Sequence, residues 1–388
     1  MRDRNSRKAP HDVTPGDETV QILTPEGEVK PTKAAEPFLE QLELLTTEDY
    51  LRAYRDMSYV RAFDRESTML QRQGQLSLYV PAEGQEAAQI GSAYAMRPQD
   101  AVFPSYREHG VAFVRGVDLV DVLRLLRGVT HSGWSPEGHG VRPYTLVIGS
   151  QTLHATGYAL GQKFDGATGT GDLDKDEATV VYFGDGATSQ GDTNEAYIFA
   201  TSYQVPLVFF LQNNQWAISV PVSVQANNPL YKRAGGFGMP STHIDGNDVM
   251  ASFAVTRAHL ERARAGGGPG FIEAETYRMG AHTTTDDPTK YRTRDEEESW
   301  RRRDPIARLG AYLRAQDVGE DFFTGVDEAA KDYAADVRRG VFEIEEPDND
   351  SMFENVYSDA HPQLEEEKQW LRRYEASFDD NASQEATR

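Results

Sequence analysis

Short apolar runs alternate along the chain with longer stretches whose apolar residues recur at helical spacing. Runs that are rich in β-branched and aromatic residues and end at Gly or a polar turn are typical of buried strands. They predict strands at residues 101–103, 146–150, 179–183, 206–211, 243–244 and 271–277. The stretches between them predict helices at residues 47–73, 86–95, 117–130, 151–164, 248–264, 305–315 and 326–345. This alternation predicts an α/β fold, a parallel sheet of at least five strands flanked by helices on both faces.

The periodic pattern covers only the middle of the chain. Residues 1–40 are polar, contain five prolines and show no clear period, so we expect an N-terminal arm there. Residues 41–345 carry the strands and helices of the predicted α/β domain. Residues 346–388 form an acidic C-terminal segment, and we do not expect the final dozen residues to pack.

Composition excludes several classes of protein. Acidic residues outnumber basic ones by 62 to 40, and the net charge of −22 argues against binding to nucleic acids or anionic membranes. No apolar run is long enough to span a membrane and no apolar leader is present, so a soluble, cytoplasmic protein is expected. Cysteine is absent, which excludes disulfides, thiolate metal sites and cysteine nucleophiles.

Residues 179–219 form the unit around which the chain is organised. A buried strand ends at Gly184, a polar turn and a helix follow, and a second buried strand runs into Asn214. Asp192 is the predicted helix N-cap, with Glu195 as its capping-box partner. A parallel βαβ unit brings the ends of both strands to one edge of the sheet, where α/β proteins bind their ligands.

The polar residues at this edge suit a divalent cation. The carboxylate of Asp185, the amide oxygen of Asn214 and a backbone carbonyl at Trp216 would supply half of an octahedral shell for Mg²⁺, which keeps its other positions for substrate phosphates and water. Gly184 and Gly186 would let the backbone approach a diphosphate. Taken alone, the Gly-Asp-Gly tripeptide is more often an ordinary turn at the end of a strand.

The spacing of two short motifs changes that interpretation. Gly-Asp-Gly, 26 intervening residues (187–212) and Asn-Asn resemble the signature of thiamine diphosphate enzymes. The surrounding residues, GDGATSQGDTNEAY and VPLVFFLQNNQWAISVPV, resemble the alpha subunit of the first, decarboxylating component of 2-oxo acid dehydrogenase complexes. This resemblance runs from about residue 42 to residue 370. It implies the thiamine diphosphate-binding fold, with thiamine diphosphate and Mg²⁺ as cofactors.

The resemblance implies a set of contacts to the cofactor. In this family an arginine at the position of Arg107 holds the diphosphate, which suits a guanidinium fork, whereas an isolated arginine is more often in a surface ion pair. Backbone groups at two other positions, Leu146 and Ile148, contact the aminopyrimidine ring. The full set of implied cofactor residues is Tyr106, Arg107, Leu146, Ile148, Asp185, Gly186, Ala187, Asn214, Arg278 and His282.

Two histidines are candidates for the chemistry itself. His282, in a loop that borders the active site of the family, suits proton transfer or binding of a carboxylate or lipoyl group, although a loop histidine is often simply solvated. His131 corresponds loosely to a second active-site histidine, and His139 is the alternative. His109 is expected to be structural, and His154, on a predicted helix, is expected to pack or cap.

The resemblance also implies the reaction and the partners. Such a subunit decarboxylates a 2-oxo acid and passes the acyl group to the lipoyl group of an acyltransferase component, and a glutamate of a separate beta subunit activates the cofactor. We therefore expect an α2β2 heterotetramer, with the chain inactive alone and the substrate (pyruvate or a branched-chain 2-oxo acid) left open. Alternatives are an acetoin dehydrogenase, a transketolase-like half, and a non-enzymatic subunit. A nicotinamide-binding domain is disfavoured, because no Gly-x-Gly-x-x-Gly opens a helix after a first strand.

The acidic, lysine-poor composition generates one prediction. With 9 lysines against 31 arginines and a charge of −22, the chain suits a salt-rich cytoplasm, although a GC-rich genome also favours arginine. If adaptation to salt is the cause, activity measured against KCl concentration should rise to an optimum at high salt, where the repulsion between carboxylates is screened. An optimum near zero salt would contradict the hypothesis.

Overall fold

The computed structural model describes residues 18–130 and 132–385, with side chains described as far as residue 378. This part of the chain forms two compact units, one ending at Glu343 and the other beginning at Ile344. The first unit contains the α/β sheet and its helices, and the second contains a short 3-10 turn and a helix. Among the described helices, none combines the length and apolar composition that crossing a bilayer requires.

The strands of the described residues form one parallel sheet and one small hairpin. In chain order they are β1 (Thr19–Val20), β2 (Ala101–Phe103), β3 (Thr179–Gly184), β4 (Leu207–Asn213), β5 (Trp216–Ala217), β6 (Val220–Pro221), β7 (Ser241–Asp245) and β8 (Gly270–Glu275). The large sheet has the order β1-β7-β8-β4-β3-β2, and its neighbours all run parallel. The antiparallel pair β5-β6 lies apart from it.

Helices occupy the sequence between these strands and after the last of them. The α-helices are α1 (Thr47–Arg72), α2 (Glu86–Tyr94), α3 (His109–Val114), α4 (Leu119–Arg127), α5 (Pro136–His139), α6 (Ser150–Phe164), α7 (Gly191–Tyr203), α8 (Val222–Gln225), α9 (Tyr231–Gly236), α10 (Val249–Arg264), α11 (Arg294–Arg301), α12 (Pro305–Ala315), α13 (Glu320–Phe342) and α14 (Pro362–Glu385). The 3-10 segments are Lys33–Leu44, Asp185–Ser189, Pro288–Lys290 and Asn349–Phe353.

The central strands are buried along almost their whole length. Every residue of β4 is buried, and small and aromatic side chains of α6 and α7, among them Ala159 and Tyr197, pack against β3 and β4 through Phe183 and Phe209. Helix α10 packs against β4, β7, β8 and α2. The strands of a parallel sheet that is covered on both faces appear in the sequence as continuous apolar runs. The predicted α/β fold is confirmed.

The pairing of β3 with β4 fixes the edge of the sheet where both strands end. In this register Gly184 lies opposite Gln212, so the turn after β3 and the residues after β4 leave the sheet side by side. On the other side of β4, Asn213 lies opposite Glu275 of β8. The chain segments that follow β3, β4 and β8 therefore converge at one place.

Two local predictions for the α6–α7 region are wrong. Residues 146–150 form an irregular turn into α6 rather than a strand, because Gly149 has a φ of +88°, a left-handed conformation that reverses the chain. Helix α7 has Gln190 as its N-cap and no capping side chain, so Asp192 lies instead in the first turn, where a negative charge still favours the helix dipole.

One further segment and one histidine also differ from what the sequence predicts. Within the predicted arm, Thr19–Val20 adds to the sheet as its edge strand, paired with His243 and Ile244. A strand of only two residues, one polar and one apolar, is too short to show a period of two in the sequence. His154 does not pack, because it lies on the exposed face of α6.

A buried ionic cluster fastens the N-terminal edge of the domain to α12. Asp245, at the end of β7, accepts a hydrogen bond from Gln21 Nε2 at 2.8 Å and pairs with Arg308 Nη1 at 2.9 Å and Arg303 Nη2 at 3.0 Å. Burial raises the pKa of Asp245, but attraction to the two guanidinium groups dominates and holds this pKa well below the usual carboxyl range. Asp245 is therefore charged throughout the neutral range.

Replacing this carboxylate should destabilise the fold. We expect Asp245→Ala to lower the free energy of unfolding by about 3–5 kcal/mol at pH 7, because two buried arginines lose their shared partner. The depressed pKa means that the contribution is complete above the unfolded value of about 3.9 and is lost as the pH falls below it. Urea denaturation at pH 7 measures the effect, with Asp336→Ala, in an exposed pair with Arg339, as the control. Equal losses in both variants would contradict the assignment.

Candidate functional site

A cavity of about 250 Å³ lies at the carboxyl edge of the sheet, where the segments after β3, β4 and β8 meet. Most of the predicted site residues border it. Its lining is Gln85, Ser105, Tyr106, Arg107, Glu108, Thr145, Ile148, Gly149, Gln151, Gly184, Asp185, Gly186, Ala187, Gln190, Gln212, Asn214, Trp216, Ala217, Ile218, Arg278 and His282.

Asp185 is a buried carboxylate at the end of β3. Its side chain is 1 % exposed, and its Oδ2 accepts a hydrogen bond from Gln225 Nε2 at 2.7 Å. Burial raises the pKa of Asp185 to about 6, against the smaller lowering effects of that hydrogen bond and of two arginines. A buried carboxylate with so few donors around it is suited to a cation ligand.

Asn214 lies at the end of the neighbouring strand with a defined amide orientation. Its Oδ1 accepts from the backbone N–H of Trp216 at 3.4 Å, and its Nδ2 donates to Gln85 Oε1 at 3.3 Å. The carbonyl of Trp216 accepts from Arg278 Nη1 at 2.9 Å. Because a carbonyl oxygen has two lone pairs, this bond leaves one acceptor position free.

Two buried arginines give the cavity its positive charge. Arg107 donates to the carbonyls of Pro81 and His282, the latter at 3.0 Å. Arg278 donates to the carbonyls of Trp216 and Ile218. In the part of the chain that the structure describes, neither guanidinium forms an ion pair with a carboxylate. Two buried positive charges that no carboxylate contacts directly favour an anionic ligand.

His282 lies between these arginines. Its Nδ1 is 3.3 Å from Arg107 Nη2 and 3.3 Å from Arg278 Nη1. Burial and the two positive charges lower the pKa of His282 to about 3, so the ring is neutral at pH 7. Because guanidinium groups only donate, Nδ1 is the acceptor and the ring proton is on Nε2.

The segment after β4 holds two residues in an unusual backbone conformation, one before β5 and one in the turn between β5 and β6. Gln215 and Ile218 have φ values of 73° and 55°, and a positive φ is costly for a β-branched residue. Arg278 Nη2 donates to the Ile218 carbonyl at 2.9 Å, which secures the strained turn. Strain of this kind is typical of ligand sites.

Close backbone approach explains one glycine of the Gly-Asp-Gly motif. A Cβ on Gly186 would lie 2.9 Å from Cβ of Ala217, on the β5 hairpin. Any larger residue at this position would push the turn after β3 away from the β5–β6 hairpin. The glycine therefore lets this turn lie against the hairpin.

The structure places most, though not all, of the predicted residues together. The cavity lining includes Tyr106, Arg107, Ile148, Asp185, Gly186, Ala187, Asn214, Trp216, Arg278 and His282. Leu146 is not in the lining and is 54 % exposed beside it. His131 lies outside the described residues. His139 bonds the carbonyl of Arg115 away from this cavity, and both nitrogens of the buried His109 have partners.

Sequence reasoning missed several glutamines and one glutamate. Gln151 Nε2 donates to the Tyr182 carbonyl at 3.0 Å, and its buried Oε1 has no partner among the described residues. Buried Glu108 accepts from Gln212 Nε2 at 2.7 Å. Gln212 could have been singled out from the sequence, because it is a polar residue inside an otherwise apolar strand.

The Glu108–Gln212 pair belongs to a network that positions Arg107. Glu108 Oε2 also accepts from the backbone N–H of Ser105 at 2.6 Å, which closes the loop before α3. Gln89 Nε2 donates to the Arg107 carbonyl at 3.0 Å and to Gln212 Oε1 at 3.1 Å. The loop that carries Arg107 is thus tied to both α2 and β4.

Comparison with known proteins identifies the family of this site. The model of a family described as the dehydrogenase E1 component matches residues 54–345. The chain belongs to the dehydrogenase E1 component family. The predicted resemblance to its alpha subunits is confirmed, and with it membership in the 2-oxo acid dehydrogenase class of oxidoreductases.

Relatives within the dehydrogenase E1 component family cover nearly the whole chain. The 3-methyl-2-oxobutanoate dehydrogenase subunit alpha of Mycobacterium tuberculosis is 43% identical over 358 residues, which cover 92% of this chain and 94% of the relative. Pyruvate dehydrogenase E1 component subunit alpha is 37% identical in Acholeplasma laidlawii, covering 85% of this chain and 94% of the relative. The Staphylococcus epidermidis protein of that name is 35% identical, covering 92% and 94%.

Membership in the dehydrogenase E1 component family implies thiamine diphosphate, and the cavity fits this group. The positive charges of Arg107 and Arg278 match a diphosphate, and the buried Gln85 Nε2, Gln151 Oε1 and Arg278 Nε have no partner among the described residues. The described residues contain no cluster of three His, Asp or Glu side chains that could hold a metal alone. One carboxylate and one amide are typical of a Mg²⁺ that is shared with phosphate oxygens.

The buried charge of Asp185 generates a prediction about stability. We expect Asp185→Asn to stabilise the cofactor-free protein at pH 8 by roughly 1–3 kcal/mol, because it removes an ion from an apolar environment. The folded-state pKa is raised to about 6, so the penalty of the wild-type carboxylate is complete above that pH and fades toward pH 4. The stability gap in urea should therefore shrink at pH 4.5.

The matched control for this experiment is Asp192→Asn, at an exposed carboxylate of α7. It should leave the stability nearly unchanged or lower it slightly, since the helix dipole favours a negative charge there. An Asp185→Asn protein that is less stable than the wild type at pH 8 would contradict the prediction.

Proposed function

We propose that this chain is the alpha subunit of a branched-chain 2-oxo acid dehydrogenase E1 component that acts in the cytoplasm. Two observations support this proposal. The charged cavity at the carboxyl edge of the sheet has the donors and acceptors that thiamine diphosphate and Mg²⁺ need. Identity is higher to the 3-methyl-2-oxobutanoate dehydrogenase relative, at 43%, than to the pyruvate dehydrogenase relatives, at 37% and 35%.

In this proposal each part of the cofactor has its own residues. Asp185, Asn214 and the carbonyl of Trp216 hold Mg²⁺, and Arg107 and Arg278 neutralise the diphosphate. The approach of the backbone to the phosphates depends on Gly186, with Ala187 beside it. Tyr106 flanks Arg107 at the other wall, where the guanidinium carbon lies 5.7 Å from the ring centroid.

The aminopyrimidine ring is assigned to the turn before α6. Backbone groups of Leu146 and Ile148 lie on an irregular turn, so their N–H and carbonyl groups are not consumed by a sheet. In a strand at 146–150, as predicted from the sequence, these backbone groups would instead bond to a neighbouring strand.

Thiamine diphosphate bound by these residues would supply a carbon nucleophile and an electron sink for the decarboxylation of a 2-oxo acid. The chain supplies position and charge. His282, neutral at pH 7 with its proton on Nε2, offers a hydrogen-bond donor to the substrate carboxylate or to a lipoyl sulfur. Arg107 and Arg278 both donate to its Nδ1, which fixes this tautomer.

A beta subunit is proposed to complete the site. Three consecutive apolar residues beside the cavity, Leu146, Val147 and Ile148, are 54 %, 72 % and 41 % exposed. An exposed apolar run at the mouth of a charged cavity is suited to coverage by another protein. The proposed assembly is α2β2, and the product is handed to the lipoyl group of the acyltransferase component.

The function is tested by decarboxylation assays with an artificial electron acceptor. The chain co-expressed with its beta subunit should turn over 3-methyl-2-oxobutanoate and 4-methyl-2-oxopentanoate at least about tenfold more efficiently than pyruvate, which corresponds to about 1.4 kcal/mol of discrimination. Each assay contains Mg²⁺ and thiamine diphosphate, and the chain alone should be inactive.

The possible outcomes separate the parts of the proposal. A preference for pyruvate would reassign the substrate within the same family. Turnover by the chain alone would contradict the heterotetramer. A folded complex that binds the cofactor but acts on no 2-oxo acid would favour acetoin or a transketolase-like reaction.

A further inference from the structure

The side chain of Gln85 occupies a fixed place in the wall of the cavity. It is fully buried, at the N-cap position of α2. The preceding Gly84 has a φ of +98°, and a Cβ there would lie 2.3 Å from the carbonyl oxygen of Tyr277. Thr276 Oγ1 donates to the Gly84 carbonyl at 2.8 Å. The backbone of Gln85 is therefore held against the segment that follows β8.

The amide orientation of Gln85 follows from that of its neighbour. The backbone N–H of Trp216 can only donate, so the atom of Asn214 that faces it must be Oδ1. The other side-chain atom of Asn214, Nδ2, then faces Gln85, and the atom of Gln85 that accepts from it must be Oε1. This leaves Nε2 as the second terminal atom of Gln85.

Gln85 Nε2 is an unused donor at the place where the cofactor is proposed to bind. It is buried, and it has no hydrogen-bond partner among the described residues. Leaving a buried amide unsatisfied costs free energy, so a group that binds here and accepts its hydrogen bond regains that energy. Arg278 Nε, which belongs to another residue of the cavity lining, is likewise a buried donor with no partner among the described residues.

We propose that Gln85 is a diphosphate-binding residue, whose Nε2 donates to a diphosphate oxygen while its Oε1 orients the Asn214 amide. The inference rests on the proposed function, since it assumes that thiamine diphosphate occupies this cavity. A neutral amide suits this position because it serves both neighbours at once. It donates to an anion on one side and accepts from an amide on the other.

Two substitutions separate the two roles of this side chain. Gln85→Glu keeps an oxygen that accepts from Asn214 Nδ2 but removes the donor. Gln85→Met, of similar length, removes both the donor and the acceptor without adding charge. The matched control is Gln99→Glu, the same chemical change at a glutamine whose Nε2 bonds the Leu173 carbonyl away from the cavity.

The experiment measures binding rather than turnover. Each variant is co-expressed with the beta subunit, and assembly and melting temperature are checked first. The dissociation constant of thiamine diphosphate at saturating Mg²⁺ is then measured by calorimetry, and inorganic diphosphate is used as a competitor. We expect both Gln85 variants to bind thiamine diphosphate and inorganic diphosphate at least about tenfold more weakly than wild type, and Gln99→Glu to match wild type.

The inference is overturned if Gln85→Glu binds within twofold of wild type, whatever Gln85→Met does, because the donor is then not used. It is also overturned if only Gln85→Glu is weakened, since repulsion by the new charge would explain that result. Unchanged affinity for inorganic diphosphate in both variants would likewise contradict it. Failure of the wild-type complex to bind thiamine diphosphate would instead refute the proposed function.

Discussion

The parallel pairing of β3 with β4 is the constraint on which the site depends. It sets Gly184 opposite Gln212 and so brings the turn that begins at Asp185 beside Asn214. Because the side-chain period of a strand is two, a slip of one residue would turn Gln212 away from Glu108 and shift Asp185 relative to Asn214. Burial of both faces of the two strands makes such a slip costly. The precision of a polar site thus comes from an apolar sheet.

The charges around this edge are arranged for a ligand rather than for the stability of the chain. Burial raises the pKa of Asp185 to about 6, which disfavours its charge, and burial together with Arg107 and Arg278 lowers the pKa of His282 to about 3. A diphosphate with Mg²⁺ would compensate both signs at once, the cation at the carboxylate and the anion at the guanidinium groups. Elsewhere in the domain a buried carboxylate, Asp245, has its own arginines and serves stability alone.

Hydrogen bonds within the loop after β8 connect Arg278, His282 and the strained turn. Arg278 donates to the strained turn between β5 and β6 and to the hydroxyl of Tyr291, which in turn donates to Asp286. Asp286 also accepts from the backbone N–H of His282 at 2.9 Å. A change in this loop would therefore move the histidine, the arginine and the turn together.

Much of the architecture follows from local sequence alone. Continuous apolar runs at β3, β4 and β8 and the helical period of α1 and α10 are strong signals, because buried strands and amphipathic helices each leave their own spacing in the chain. The Gly-Asp-Gly and Asn-Asn motifs mark the ends of two strands and so locate the binding edge of the sheet. Their spacing also indicates the family. The predicted strand at 146–150 failed because its apolar residues lie exposed at the surface instead of in the core.

What only the tertiary structure decided is how residues far apart in the chain share hydrogen bonds. Gln85, Gln151 and Glu108 carry no motif, and their roles arise from neighbours more than 30 positions away or from another strand, such as Asn214 for Gln85. The pKa of His282 and the raised pKa of Asp185 likewise depend on burial and on charges brought in by other segments. A sequence records which groups are available, and three-dimensional proximity determines which of them are left without partners and therefore open to a ligand.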